Sequence, residues 1–136
     1  MIVDSSAIVA ILRDEPRAPM LERAIYDAAV CRISAPTFLE AAIVIDGRRN
    51  ALVSQRIEDF VAAAGLVVEP FTAEHARIAR EAYRQFGRGS GHPARLNFGD
   101  CFAYALARAT GEPLLFVGDD FGHTDVRSAL AGGGGV

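Results

Sequence analysis

Short apolar runs alternate along the chain with longer segments whose apolar residues recur at helical spacing. The runs at 1–3, 31–34, 66–70 and 113–118 suit short strands that are buried in a parallel sheet. Strands that alternate with helices pair in parallel and carry helices on both faces, so we predict an α/β fold. It has three α/β/α layers and a mostly parallel sheet of four or five strands. The predicted helices cover 5–15, 18–29, 37–49, 51–65, 73–86 and 96–111.

Length and composition suit a single globular domain. The chain has 136 residues, of which 51% are hydrophobic, and we place the domain at 1–130. The last residues, 131–136, read AGGGGV and are predicted to form a flexible glycine-rich tail. No apolar run approaches the roughly 18 residues of a membrane span. The first apolar stretch contains Asp4 and has no basic residue before it. We therefore expect a cytoplasmic protein without a secretory signal and without contact with a membrane.

The basic residues narrow the possible chemistry. The net charge is −3, and all 14 basic residues are arginine. The lack of lysine excludes Walker-type phosphate cradles and Schiff bases and weighs heavily against receiver domains, since all three rely on an ammonium group. Arginine suits bidentate contacts with phosphate. Arg48, Arg49, Arg88 and Arg95 lie in or near predicted loops, where each is either a phosphate contact or a plain solvated side chain.

The cysteines and histidines give no catalytic pattern. Cys31 and Cys101 lack metal-ligand spacing and lie among apolar residues, so we predict ordinary core thiols. His75 is predicted to be solvated on a helix. His92 and His123 lie in loops, where a surface position is favoured over a contact with a ligand.

Five acidic residues share one structural context, because each lies where a predicted strand ends or a predicted helix begins. They are Asp4, Glu40, Asp100 and the pair Asp119–Asp120. In a parallel α/β sheet these positions line one edge, where ligands bind. Taken singly, each acid also has an ordinary interpretation. Asp4 would cap a helix, Glu40 and Asp100 would face a helix dipole in the first turn, and Asp119–Asp120 would form a polar turn.

Convergence of these acids would require a counter-charge. Two carboxylates 4 Å apart repel each other by about 4 kcal/mol at an effective dielectric constant near 20. A shared proton relieves one pair, whereas three or four acids are better served by a divalent cation. Oxygen ligands favour Mg²⁺, with Mn²⁺ possible. Asp100 opens an almost wholly apolar helix, so a metal would explain a carboxylate at its buried end.

Four segments of the chain together resemble PIN-domain ribonucleases of the VapC toxin type. They are MIVDSSAIVAILRDEP at the start, Glu40 before AAIVI, NFGDCFAYALA around Asp100, and LLFVGDDFGHTD. The resemblance implies a Mg²⁺-dependent RNA endonuclease that is the toxin of a toxin–antitoxin pair. It also implies a homodimer and a VapB-like antitoxin partner, for which the helices at 18–29 and 51–64 offer apolar surface.

The same resemblance assigns the site residues. Asp4, Glu40 and Asp100 match three of the family's acids, and the fourth falls at Asp119 or Asp120, with Asp120 favoured. Ser6 matches a hydroxyl position near the metal, and Asn97 matches a polar position; helix-start and turn roles are equally open for them. A catalytically silent interaction module with the same fold is the alternative function. A receiver-like phosphoacceptor domain is a weaker one.

Overall fold

The computed structural model describes residues 1–130, so the predicted glycine-rich tail at 131–136 lies outside the described residues. Four parallel strands form one sheet: β1 (Ile2–Val3), β2 (Arg32–Ser34), β3 (Val67–Glu69) and β4 (Leu114–Leu115). Their order across the sheet is β3-β2-β1-β4. Ile2 is paired with Arg32 on one side and with Leu114 on the other. The predicted parallel sheet of four or five strands is confirmed.

Within residues 1–130, six α-helices connect the strands, as the apolar spacing predicts. They are α1 (Ser5–Leu12), α2 (Ala18–Asp27), α3 (Ala35–Asp46), α4 (Ala51–Ala64), α5 (Ala73–Phe86) and α6 (Phe98–Thr110), followed by a 3₁₀ turn at Phe121–His123.

Several helix ends differ from the prediction by one to three residues, and two of these differences have a clear local reason. The helix α1 ends at Leu12 rather than at residue 15, because Asp14 takes a left-handed backbone conformation with φ of 52° and Pro16 follows. The helix α3 begins two residues earlier than predicted, because Pro36 in its first turn needs no hydrogen-bond partner there.

Successive strand side chains point to opposite faces and build two hydrophobic cores. Val3 and Leu115 pack in a core with residues of α1 to α4, whereas Ile2 and Leu114 pack in a second core with residues of α5 and α6. The sheet is therefore covered by helices on both sides, which confirms the predicted three layers. No helix within residues 1–130 has the length and apolarity needed to cross a membrane.

The sheet edge at β3 is less buried than its apolar sequence suggests. Val67 and Val68 are 41% and 42% exposed, because β3 is an edge strand. The two cysteines, in contrast, behave as predicted. Cys31 and Cys101 are free and buried among apolar side chains.

Parallel pairing places the ends of β1, β2 and β4 at the same edge of the sheet. Asp4 directly follows β1, α3 with Glu40 directly follows β2, and Asp119 and Asp120 come shortly after β4. The fold thus gathers chain segments that are more than a hundred residues apart in sequence.

Candidate active site

Asp4 is a buried carboxylate at the start of α1. It is 3% exposed and caps the helix through Oδ2, which accepts hydrogen bonds from the backbone N–H of Ser6 at 3.1 Å and from Ser6 Oγ at 2.6 Å. Within residues 1–130, Oδ1 of Asp4 is buried and has no hydrogen-bond partner. Burial raises the pKa of Asp4 to about 6, against the effect of the Ser6 hydrogen bonds, and the charge of Glu40 adds to the increase.

Asp100 has two roles at the start of α6. Its Oδ2 accepts a hydrogen bond from the backbone N–H of Asn97 at 2.9 Å, and Asn97 Oδ1 accepts one from the backbone N–H of Asp100 at 2.9 Å, which completes a capping box. Burial, together with the charges of Asp4, Asp120 and Glu40, raises the pKa of Asp100 to about 7, against the effect of the Asn97 hydrogen bond. The carboxylate of Asp100 thus caps the helix and lies within electrostatic range of the other acids, while its role as a metal ligand stays a prediction.

Glu40 is fixed by contacts with two other chain segments. Ser5 Oγ donates a hydrogen bond to Glu40 Oε1 at 2.7 Å. On the other side lies Gly99, where an added Cβ would be 2.0 Å from Glu40 Oε2. Only glycine allows this close approach. Because α3 begins at Ala35, Glu40 lies beyond the first helical turn, so the helix-dipole interpretation of this residue is wrong.

The two acids after β4 differ in their relation to Asp100. Asp119 and Asp120 are both exposed. Asp120 is one of the acids whose charges most strongly raise the pKa of Asp100, and Asp119 is not. Asp120 also directly precedes the 3₁₀ turn. Asp120 therefore lies within electrostatic range of Asp100, and the preference for Asp120 over Asp119 as the fourth site acid stays a prediction.

Two adjacent serines connect the acids. Ser6 Oγ donates to Asp4 and accepts a hydrogen bond from the backbone N–H of Val117 at 3.0 Å, so it links Asp4 to the segment after β4. Ser5 holds Glu40 in the same way. Sequence reasoning selected Ser6 but missed Ser5 and Gly99. Both residues could have been noticed from their positions, because Ser5 directly follows Asp4 and Gly99 directly precedes Asp100.

The other polar candidates lie away from this cluster or have structural roles. His75 forms a capping box with Thr72 at the start of α5 and is half-buried, so the prediction that it is solvated is wrong. His92 Nδ1 accepts a hydrogen bond from the backbone N–H of Ala94, and its ring packs against Phe86. His123 is exposed, as predicted. Arg48, Arg49, Arg88 and Arg95 are exposed loop residues.

The donor set of the cluster suits a hard divalent cation. All four acids offer carboxylate oxygens, and within residues 1–130 the buried Oδ1 of Asp4 has no hydrogen-bond partner. The charges of neighbouring acids contribute to the raised pKa values of Asp4 and Asp100. Within residues 1–130, no three His, Cys, Asp or Glu side chains already stand in an arrangement that could hold a metal ion. The acids are therefore gathered at one edge without forming a ready-made coordination shell.

Comparison with known proteins agrees with this geometry. The PIN domain matches residues 1–127. Ribonuclease VapC28 of Mycobacterium tuberculosis is 55% identical over 130 residues, which cover 96% of this chain and 98% of that protein. Ribonuclease VapC42 of the same species is 50% identical over 129 residues, 95% of this chain and 98% of the relative. Ribonuclease VapC of Mycolicibacterium smegmatis is 45% identical over 126 residues, 93% of this chain and 97% of the relative.

A solved structure shows the same fold at low sequence identity. The crystal structure of Mycobacterium tuberculosis VapC20, a Sarcin-Ricin loop cleaving toxin, superposes with a TM-score of 0.73 at 19% identity, over 92% of this chain and 95% of that one. The match to the PIN domain covers almost the whole chain, and the relatives are aligned over nearly their full length. The chain therefore belongs to the PIN-domain family and, within it, to the VapC ribonucleases.

Proposed function

We propose that this chain is a divalent-metal-dependent endoribonuclease that serves as the toxin of a VapBC toxin–antitoxin pair. The observation that carries the proposal is the group of four acids in a chain so similar to VapC ribonucleases: the pKa values of Asp4 and Asp100 are raised by burial and by the charges of neighbouring acids, among them Glu40 and Asp120. A catalytically silent module would have no need to keep the pKa values of two carboxyls so far above their ordinary value.

Asp4, Glu40, Asp100 and Asp120 would hold the metal, with Mg²⁺ as the expected ion and Mn²⁺ as a possible substitute. When bound, the metal supplies an activated water and a positive charge against the phosphate. The chain's own residues prepare the site. Asp4 offers its unpartnered Oδ1, and Ser6 keeps Oδ2 oriented through its two hydrogen bonds.

Glu40 and Asp100 are oriented in the same manner by neighbouring groups. Ser5 and Gly99 confine the Glu40 carboxylate, while the backbone N–H of Asn97 fixes one oxygen of Asp100. Asp119 is the weaker candidate for the fourth acid, because the charge that acts on Asp100 is that of Asp120.

Protein partners are supported by apolar side chains on the helical surface. Leu52 on α4 is 82% exposed, Tyr26 on α2 is 63% exposed, and Ile43 on α3 is 61% exposed. These surfaces suit the VapB-like antitoxin and the second copy of a homodimer that we propose as partners. Two of these three side chains, Tyr26 and Leu52, lie on the helices at 18–29 and 51–64, for which the sequence predicts a role in partner binding.

The decisive experiment maps cleavage sites on total cellular RNA with Mg²⁺, with Mn²⁺ and with chelator. The variant Asp100→Asn keeps an oxygen for the Asn97 hydrogen bond and removes the charge. We expect it to lower the cleavage rate at least about a hundredfold, since even supporting groups of metal sites contribute 10- to 100-fold. Asp46→Asn, at an exposed aspartate at the end of α3, is the matched control and should cleave normally. Full activity of Asp100→Asn, or cleavage in chelator, contradicts the proposal.

A further inference from the structure

A row of aromatic rings extends from the acid cluster across α6 towards α5. Phe98, two residues before Asp100, is 76% exposed. Its ring meets Phe102 edge to face with centroids 4.8 Å apart, and Phe102 meets Phe71 in the same way at 5.2 Å. An exposed phenylalanine beside a site of four acids is costly in water. Its position therefore points to a ligand that covers it.

These rings line a groove of about 320 Å³, which we call the aromatic groove. It is bounded by Phe71, Ala76, Arg80, Tyr83, Phe98 and Phe102. Phe98 and Phe102 also line a second groove that includes Glu40 and Gly99. The aromatic groove is thus continuous, through Phe98, with the surface beside the acid cluster.

The helix α5 carries three arginines, one of which, Arg80, lines the aromatic groove. Arg77, Arg80 and Arg84 recur at i, i+3 and i+7, so they follow one another along neighbouring turns of α5. Arg84 pairs with Glu81 at 3.2 Å. Arg77 and Arg80 are exposed and form no ion pair within residues 1–130. The groove therefore combines flat aromatic faces with uncompensated positive charge.

We propose that the aromatic groove binds an unpaired base of the RNA substrate, stacked on Phe98, with Arg80 at the neighbouring phosphate. The inference rests on the proposed ribonuclease function and adds a substrate subsite to it. Single-stranded nucleic acids are held by aromatic faces for the bases together with basic side chains for the backbone, and both elements are present here. A base in this groove would deliver the adjoining phosphate towards Glu40 and Asp100.

Charge distinguishes this groove from an ordinary protein-docking surface. The second groove is lined by Glu40 and by the apolar residues Leu39, Ile43 and Val44 of α3. An apolar protein segment fits that surface. The aromatic groove has Arg80 and no acidic residue among its lining side chains, so it favours a polyanion.

Binding of a fluorescein-labelled, mixed-sequence, single-stranded RNA oligonucleotide tests the proposal. The full chain carries Asp100→Asn to prevent cleavage, and fluorescence anisotropy gives the Kd. Phe98→Ala should weaken binding roughly 5- to 100-fold, the range for loss of one stacked base, while Phe98→Trp should bind as tightly as the parent. Val30→Ala, which shortens an exposed apolar side chain between α2 and β2, is the matched control and should leave the Kd unchanged.

Phe98→Leu separates stacking from apolar packing. Leucine is apolar but offers no flat face, so we expect it to bind RNA as weakly as alanine. Binding by Phe98→Leu as tight as that of the parent would show that the groove needs only apolar contact, as for a protein segment. Unchanged binding by Phe98→Ala would overturn the proposal while wild-type cleavage still supported the nuclease function. A wild-type chain that neither cleaves nor binds RNA would overturn both.

Arg80 is tested through the salt dependence of binding. Each phosphate contact adds about 0.7 to the slope of log K against log salt for a single strand. Arg80→Ala should therefore reduce that slope by about 0.7. Arg23→Ala, at an exposed arginine on α2 that pairs with Asp27, should leave the slope unchanged. An unchanged slope for Arg80→Ala would remove Arg80 from the proposed subsite.

Discussion

Replacing Asp4 by asparagine should change how the stability of the metal-free protein depends on pH. The pKa of Asp4 rises from 3.8 to about 6 in the folded protein, chiefly through burial. The folded state therefore holds the proton more tightly than the unfolded state. The resulting stabilisation is complete below pH 3.8 and is lost as the pH rises through about 6. Asparagine has no charge to bury, so this loss is absent in the variant.

The size of the effect follows from the size of the pKa shift. The change from 3.8 to about 6 corresponds to about 3 kcal/mol of unfolding free energy, of which about 2 kcal/mol is lost between about pH 4.5 and pH 8. The amide of asparagine would occupy the place of the unpartnered Oδ1, at a cost that does not vary with pH. The difference in stability between variant and wild type should therefore move by about 2 kcal/mol towards the variant over that interval.

Urea denaturation in chelator at about pH 4.5 and pH 8 measures this difference directly. Asp46→Asn is again the control, because that side chain is exposed, and its difference from wild type should be smaller and flat. A difference between Asp4→Asn and wild type that is the same at both pH values would refute the argument. It would mean that Asp4 is no more strongly protonated in the folded protein than in the unfolded chain.

Two further predictions concern the metal and Gly99. Mg²⁺ should raise the Tm of the wild type more at about pH 8 than at about pH 5, because protons compete for Asp4 and Asp100, whose pKa values are about 6 and about 7. An equal rise at both pH values, or the same rise in Asp100→Asn, would contradict this. Gly99→Ala should change stability by no more than about 1 kcal/mol, since alanine favours the helix while its Cβ displaces the flexible Glu40 carboxylate. Cleavage should nevertheless fall about tenfold or more, as expected when a supporting group of a metal site moves. Ser5→Ala, which removes only the hydrogen bond to Glu40, should give a smaller loss, and wild-type cleavage by Gly99→Ala would contradict the role given to Gly99.

The sequence predicts the layers of the fold well because burial imposes a clear apolar pattern. Strands of two or three residues were still recognisable at β1 and β2, since they lie at the centre of the sheet and their apolar residues are buried on both faces. The edge position of β3 could not be read in this way. Val67 and Val68 are apolar, as the residues of a central strand would be. Only the strand order shows that β3 is at the edge, where no further strand within residues 1–130 pairs with its outer side.

The sequence predicts which residues form the candidate site and where they lie along the strands and helices. It does not predict which side chains contact one another. The rule that parallel strands end at one edge places Asp4 and Glu40 there, whereas Asp100 lies at the start of α6, which follows a loop and not a strand of the sheet. The choice between Asp119 and Asp120 depends on side-chain direction after Gly118, which has a positive φ of 106°. Ser5 and Gly99 depend on contacts between segments 35 and 59 residues away from Glu40, and periodicity carries no information about such contacts.

The first turn of α1 connects the acids mechanically as well as electrostatically. Successive helical residues point about 100° apart, so Ser5 and Ser6 reach in different directions from one rigid turn. Ser5 reaches Glu40 on α3, while Ser6 reaches both Asp4 and the backbone of Val117 after β4. The same turn is itself capped by Asp4. A conformational change in this turn therefore alters the environment of Asp4 and Glu40 together. The positions of Asp4 and Glu40 are consequently set by the start of α1 as a unit, so a substitution of either serine should affect both acids through the same helical turn.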